Sequence, residues 1–111
     1  MINVEILKKD GHITSIAVSG HASYAPYGED IVCSGVSALC QACAESLTEL
    51  TAGKFDIHLG SGDFYITVTD YGIKDDVIKI NTLLDGLAIG LKSIKESYPD
   101  YVKVKERRVR R

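Results

Sequence analysis

A cysteine stands where an irregular stretch of chain gives way to a helical pattern. Cys33 ends the segment GEDIVC, and apolar residues recur at helical spacing from that point onward. At the start of a helix, unpaired backbone N–H groups and the positive end of the helix dipole favour a thiolate over a thiol. Because the thiolate is the reactive form of cysteine, Cys33 is a candidate nucleophile.

A histidine twelve residues earlier offers the base that a cysteine nucleophile uses. His21 lies at the end of an apolar strand pattern, and the loop after it is short enough to fold back onto the helix start. Of the other histidines, His12 falls in a predicted turn and His58 on the polar side of a predicted strand. His21 and Cys33 are therefore the candidate catalytic pair, although residue chemistry alone leaves open that they coincide by chance.

The segment from Ala22 to Asp30 has a composition that favours neither helix nor strand. Such a loop, flanked by both members of a catalytic pair, is suited to act as a mobile lid. Gly28 is the candidate hinge of this lid, because glycine adopts backbone conformations closed to other residues. Tyr24 and Tyr27 are candidates for contacts with apolar side chains of a substrate.

Two polar residues beside Cys33 each have a structural and a functional interpretation. Asp30 is placed to cap the helix by accepting hydrogen bonds from its first N–H groups, a role worth about 1 kcal/mol, and it could also orient His21. Ser37 lies one turn beyond Cys33 and should project from the same side of the helix. It is either an ordinary surface serine or a hydrogen-bond partner of the site, and spacing does not decide between the two.

The other two cysteines raise the possibility of a zinc site. Cys40 and Cys43 have Cys-x-x-Cys spacing and could join Cys33 and His21 as four ligands. Structural zinc usually takes such a pair from a turn, however, whereas these two fall in the apolar stripe of a helix, where a free cysteine behaves as a small hydrophobe. A thioredoxin-like redox pair would begin at the helix start, and Cys40 comes two turns too late. We therefore expect neither a metal nor a redox site.

Period-two alternation of apolar residues predicts five strands. The first two, residues 2–8 and 13–19, should pair with Ile6 opposite Ile16, and this register requires a three-residue loop over residues 10–12 that leaves His12 in an exposed turn. The other three strands are a hairpin with arms at 55–59 and 64–69, joined through Ser61-Gly62, and a last strand at 101–105.

Helical spacing predicts two helices, over residues 31–52 and 74–97. Gly53 is a suitable C-terminal stop for the first, and Pro99 ends the second. The element order is therefore ββαββαβ. Because hairpins dominate the connections, we expect an α+β two-layer sandwich, with a mostly antiparallel sheet and two helices packed on one face. At 111 residues the chain fits a single domain over 1–111.

Composition is that of a globular protein, with 45% hydrophobic and 25% charged residues. No run approaches the roughly 20 apolar residues that span a bilayer, and no secretory signal pattern is present, so we expect a cytoplasmic protein without membrane contact. An odd number of cysteines fits reduced thiols. The net charge of −2 argues against a general nucleic-acid binder. The C-terminus is basic, and this segment is either a solvated edge strand or a contact surface for RNA. Its basic residues are Lys103, Lys105, Arg107, Arg108, Arg110 and Arg111.

Three short motifs together carry a family resemblance. The chain resembles the ribosomal-processing cysteine proteases, the Prp family, in the motifs Gly20-His21-Ala22, Gly28-x-Asp30-Ile31-Val32-Cys33 and Val36-Ser37-Ala38-Leu39. The similarity extends through length and element order, and its specificity resides in residues 20–39. Ser34 stands where alanine is more common in the family, a small change that should leave the nucleophile intact.

The resemblance implies a protease that removes a short N-terminal extension from a large-subunit ribosomal protein, the twenty-seventh. It implies Cys33 as nucleophile and His21 as base, with supporting roles for Gly20, Asp30 and Ser37. It also implies a homodimer with a flexible loop over the active site. No metal or organic cofactor is expected, and the oxyanion should be held by backbone N–H groups at the helix start, including that of Cys33.

Two other functions remain open from the residues alone. The first is a non-catalytic RNA-binding or ribosome-binding module that uses the basic C-terminus, with Cys33 as an incidental thiol. The second is a cysteine-dependent amidase or acyltransferase acting on a small molecule, which would share the catalytic pair but prefer a closed pocket to an open groove.

Overall fold

The computed structural model of the protein describes residues 1–26 and 28–109, so Tyr27 and the last two arginines lie outside the described residues. The element order is ββαββαβ, as predicted. The seven elements are β1 (Ile2–Lys9), β2 (His12–Ser19), α1 (Ile31–Leu50), β3 (Lys54–Gly60), β4 (Asp63–Asp70), α2 (Lys74–Ser97) and β5 (Val102–Arg108).

The five strands form one sheet in the order β3-β4-β2-β1-β5. Every neighbouring pair is antiparallel except β1 and β5, which run parallel with Val4 opposite Val104. Apolar side chains that alternate along the strands meet the apolar stripes of α1 and α2 in one core. This arrangement confirms the predicted two-layer sandwich.

The β1–β2 turn is shorter than predicted. Its two residues, Asp10 and Gly11, both have positive φ angles, 54° and 82°, which is the conformation that suits a two-residue hairpin. The predicted pairing of Ile6 with Ile16 is nevertheless present, because a bulge at Thr14 absorbs the one-residue offset. The three-residue loop was therefore wrong, and His12 is the exposed first residue of β2 rather than part of the turn.

Helix α1 begins at Ile31 after the Asp30 cap and ends at Leu50, two residues earlier than predicted. The chain leaves it in an extended conformation at Thr51, so Gly53 does not act as a left-handed stop. Glycine is required at residue 53 for packing instead. A Cβ atom there would lie 2.6 Å from Cδ1 of Ile80 and 3.0 Å from the carbonyl oxygen of Asp70.

By length and composition alone, α1 could cross a membrane, contrary to the expectation from the sequence. It has 20 residues and a mean hydropathy of 1.3. The core helix of a globular domain meets the same criteria, and α1 places Val32, Val36, Cys40 and Leu47 in the core. Packing in the core therefore accounts for these four apolar residues of α1.

Helix α2 spans the predicted residues, and its buried Asp76 ties the two helices together. The two carboxylate oxygens of Asp76 accept hydrogen bonds from the backbone N–H of Ile73, at the start of α2, and of Ala52, beyond α1. These bonds, the one from Ala52 above all, hold the pKa of Asp76 below its usual value. The link fixes the end of α1 and the entry to β3 relative to α2.

The basic strand β5 lies at the edge of the sheet, as the solvated-strand interpretation predicts. Acidic neighbours offset part of its charge. Arg107 approaches Glu5 at 3.5 Å, while Glu106 pairs with Lys8 and Lys92. Direct RNA contact remains a prediction.

Candidate active site

A cavity of about 810 Å³ opens between the start of α1 and the β3–β4 turn. Its lining includes polar groups, and Val18, Val36 and Phe64 contribute apolar surface. A partly apolar cavity of this volume falls in the size range of ligand-binding sites. Six of the sequence-predicted site residues lie on its walls: Gly20, His21, Gly28, Asp30, Cys33 and Ser37.

Cys33 lies in the first turn of α1 and is half-buried. Its Sγ accepts a hydrogen bond of 3.3 Å from the backbone N–H of Ala22, at the root of the loop. The sulfur lines the cavity at the start of α1, and the bond from Ala22 fixes its position relative to the loop.

Asp30 caps α1 and also forms a hydrogen bond to the loop that precedes the helix. Its Oδ1 accepts the N–H groups of Val32 and Cys33, each at 3.0 Å, and its Oδ2 accepts that of Tyr24, also at 3.0 Å. These donations, the one from Cys33 above all, hold the pKa of Asp30 below its usual value against the opposing effect of burial. The carboxylate makes no hydrogen bond to His21 in the described part of the chain, so the geometry supports the capping role.

The side chain of His21 packs against the β3–β4 turn. A Cβ atom at Gly62 would lie 2.5 Å from Nε2 of His21, which means that the imidazole ring rests where any larger residue would project. The N–H of Gly20 donates to the carbonyl oxygen of Gly62 at 2.8 Å and fixes the end of β2 to the same turn. His21 and Cys33 both line the cavity, and no hydrogen bond joins the two side chains.

Residue 20 must be glycine for conformational and steric reasons, which the predicted supporting role did not include. Its φ is +90°, and a Cβ there would stand 2.4 Å from the carbonyl oxygen of Met1. The Met1 nitrogen in turn donates to the carbonyl oxygen of His21. Met1, which precedes β1, thus holds the His21 backbone in place.

Spacing along α1 brings two polar residues into line with the thiol. Ser37 and Gln41 follow Cys33 at four-residue intervals and line the cavity on the same side. Leu59, 55% exposed at the end of β3, lines the opposite side. The sequence analysis missed Gln41 and Leu59. The i, i+4, i+8 spacing could have indicated Gln41, whereas only strand pairing brings Leu59 to the site.

The three loop residues predicted to act as a hinge or to contact substrate have three different outcomes. Gly28 has a φ of +88°, lines the cavity and has open space around it. Tyr24 packs edge-on against Tyr98 and Tyr101, with ring centroids 5.5 Å and 5.1 Å away, and is not among the residues that line the cavity. Its substrate contact therefore stays a prediction. The same prediction for Tyr27 falls outside the described residues.

Cys40 and Cys43 are both buried in α1, as their apolar spacing predicts. Burial raises the pKa of Cys40 to about 12, with a further contribution from Cys43, and raises the pKa of Cys43 to about 11. Neither thiol is therefore disposed to ionise as a ligand or nucleophile. Across residues 1–26 and 28–109, no three His, Cys, Asp or Glu side chains are grouped to hold a metal ion.

Comparison with known proteins decides the family. A family model for cysteine protease Prp matches residues 1–103. The chain belongs to the cysteine protease Prp family. Among its relatives, the ribosomal processing cysteine protease Prp of Staphylococcus aureus (strain Mu50 / ATCC 700699) is 31% identical over 107 residues, which cover 94% of this chain and 97% of that protein. The Prp of Bacillus subtilis (strain 168) is 29% identical over 97 residues, or 86% and 87% of the two chains.

Solved Prp structures share the fold. The crystal structure of an essential ribosomal processing protease Prp from S. aureus, in complex with a covalently linked product peptide, has a TM-score of 0.86 and 28% identity and covers 96% of this chain and 100% of that one. A second S. aureus Prp structure, in complex with a substrate peptide, has a TM-score of 0.79 and 27% identity, with the same coverage. The family and the fold therefore agree with the resemblance carried by residues 20–39.

Proposed function

We propose that this Prp-family cysteine protease removes an N-terminal extension from the precursor of a large-subunit ribosomal protein, the twenty-seventh, during ribosome maturation. The proposal assigns Cys33 as nucleophile and His21 as base. One observation carries it: the half-exposed sulfur of Cys33 receives a backbone N–H and faces the cavity that also holds His21. Relatives of this chain bear the name of ribosomal processing proteases.

The reaction follows the course of a cysteine protease acting through an acyl-enzyme. His21 accepts the Cys33 proton, and the thiolate forms a bond to the scissile carbonyl carbon while the π electrons move to oxygen. Collapse of this intermediate breaks the C–N bond, and His21 returns the proton to the leaving amine. His21 then activates a water that releases the acyl group from sulfur.

An extended peptide is the proposed occupant of the cavity. Cys33, Ser37 and Gln41 line the cavity from α1, Leu59 offers apolar contact from β3, and a related Prp from S. aureus has a structure in complex with a substrate peptide. A disordered N-terminal extension can enter such a cavity more readily than a folded segment. Asp30 and Gly20 would support catalysis by fixing the helix start and the His21 backbone. We further propose that the enzyme works in the cytoplasm as a homodimer.

Cleavage of the extended ribosomal protein tests this function. The purified enzyme is incubated with that precursor from the same genome, and mass spectrometry identifies the new N-terminus. Cys33→Ala and His21→Ala should stop cleavage while circular dichroism shows an intact fold. Cys43→Ala, which removes a buried thiol by the same substitution, is the matched control and should cleave normally. Proteolysis retained by Cys33→Ala would end the assignment of the nucleophile.

Thiol alkylation distinguishes the protease from an RNA-binding module. A protease predicts that His21→Ala slows the reaction of iodoacetamide with Cys33, because the imidazole then no longer accepts the thiol proton. A binding module predicts ordinary thiol reactivity together with RNA affinity that falls steeply with salt.

A further inference from the structure

The backbone donors expected to hold the oxyanion are already engaged. The N–H groups of Val32 and Cys33 both donate to Oδ1 of Asp30, and the N–H of Ser34 donates to the Asp30 carbonyl oxygen at 3.0 Å. An oxyanion at the start of α1 would have to displace the helix cap to reach them. The predicted use of the Cys33 N–H as an oxyanion donor stays a prediction, and it requires this N–H to leave Asp30.

One backbone donor does point at the reacting atom. The N–H of Ala22 lies 3.3 Å from Sγ of Cys33. Once that sulfur is bonded to the scissile carbon, the developing oxyanion is attached to the next atom, so a donor already aimed at sulfur needs only a small shift to reach it at about 3 Å. We propose that the Ala22 N–H is an oxyanion donor, a catalytic role that rests on the proposed nucleophile.

The peptide unit that carries this donor is held on both sides. Its carbonyl oxygen, on His21, accepts a hydrogen bond from the Met1 nitrogen, and because the peptide is planar this bond also orients the N–H toward sulfur. The Ala22 side chain is only 3% exposed and anchors the unit in the core. Bonds from Gly20 to Gly62 and from Tyr24 to Asp30 fix the chain before and after it. A donor held in this way needs little reorganisation during the reaction.

An amide-to-ester exchange tests the role, because it removes one N–H and leaves every side chain in place. The full chain carrying lactic acid at Ala22 can be assembled by ligation at Cys33. Loss of an oxyanion donor should lower kcat by about 100-fold or more. It should weaken inhibition by a peptide aldehyde, whose hemithioacetal oxygen mimics the oxyanion, by a similar factor. The same exchange at Glu29, whose N–H donates to Pro26 within the loop, is the matched control and should change kcat less than the Ala22 exchange.

Three outcomes would overturn the assignment. Unchanged kcat and aldehyde affinity in an ester variant, with Cys33→Ala inactive, would reject Ala22 and leave the proposed function standing. Slower alkylation by iodoacetamide with unchanged aldehyde affinity would show that the N–H serves the resting thiolate alone. If the ester variant does not fold, the Ala22 amide proton of the wild-type enzyme should still move downfield when the aldehyde adduct forms, and an unmoved resonance would reject the donor.

Discussion

The imidazole of His21 rests on the α-carbon of Gly62, although the two residues are far apart in sequence. A Cβ atom at residue 62 would lie 2.5 Å from Nε2 and 2.8 Å from Cε1 of the ring, closer than atoms that do not share a bond can approach. The β3–β4 turn is therefore the support that places the proposed base, and Gly62 is a positioning residue for it.

Gly62→Ala should lower kcat by about 10-fold to 100-fold, because the added methyl displaces the ring from its position near the substrate. The substitution also strains the backbone, since Gly62 has a φ of +80°. Gly11→Ala is the matched control: its φ is +82°, and an added Cβ meets nothing within 4 Å. Both variants should lose about 1 to 2 kcal/mol of stability in urea unfolding, and only Gly62→Ala should lose activity. Equal kcat in the two would reject the positioning role.

Asp30→Asn should destabilise the protein in a pH-dependent way. The folded-state pKa of Asp30 lies below the ordinary value of 3.8, so the carboxylate contributes stability above that value and loses it as the pH falls through the lowered pKa. Asparagine keeps the cap but not the charge. Thermal midpoints of wild type and variant should differ by a constant amount from pH 7 to about pH 5 and converge in stronger acid. A gap of equal size at pH 3 would contradict this account, and Asp100→Asn, at an exposed turn, is the control.

Gly28→Val should depress turnover and lower stability only through its backbone strain, by at least about the 1 to 2 kcal/mol expected for Gly11→Ala. A valine at a φ of +88° is strained, but a side chain there meets open space, so the change stiffens the loop without disturbing the core. Apart from the hydrogen-bonded N–H groups of Ala22, Tyr24 and Glu29, the amides across residues 22–30 should show weak protection from hydrogen exchange in the free enzyme and strong protection with a bound substrate peptide. Equal and strong protection in both states would mean that the loop does not gate the site.

Cys43→Ala should cost about 1 kcal/mol of stability and leave kcat unchanged. The thiol is buried, and its Sγ donates to the carbonyl oxygen of Leu83 at 3.6 Å, away from the cavity. Cys40 is the less suitable variant because it is buried against the cavity wall. Urea unfolding and a peptide-cleavage assay measure the two effects. Stoichiometric zinc that is lost on this substitution would instead revive the four-ligand site.

The sequence by itself determined the features that short stretches of chain control. The cap at Asp30, the start of α1, the span of α2 and the turn at Ser61-Gly62 depend on residues within one or two helical turns or on a single hairpin. The motifs at residues 20–39 indicated the family for the same reason, since the loop and the helix start are contiguous. The alternation of apolar residues also predicted the pairing of β1 with β2. It did not predict the bulge at Thr14, because a bulge and a longer loop both keep the apolar residues of the two strands on the same face.

Only the tertiary structure decided how these parts meet at the site. Strand order, with β4 beside β2, brings Gly62 under His21 and Leu59 to the cavity. The folding of the loop onto α1 turns the Ala22 N–H toward the sulfur of Cys33. Local patterns record which face of an element is apolar, but they carry no information on which backbone groups remain free once distant elements have packed. Those free groups determine how the site can act on a substrate.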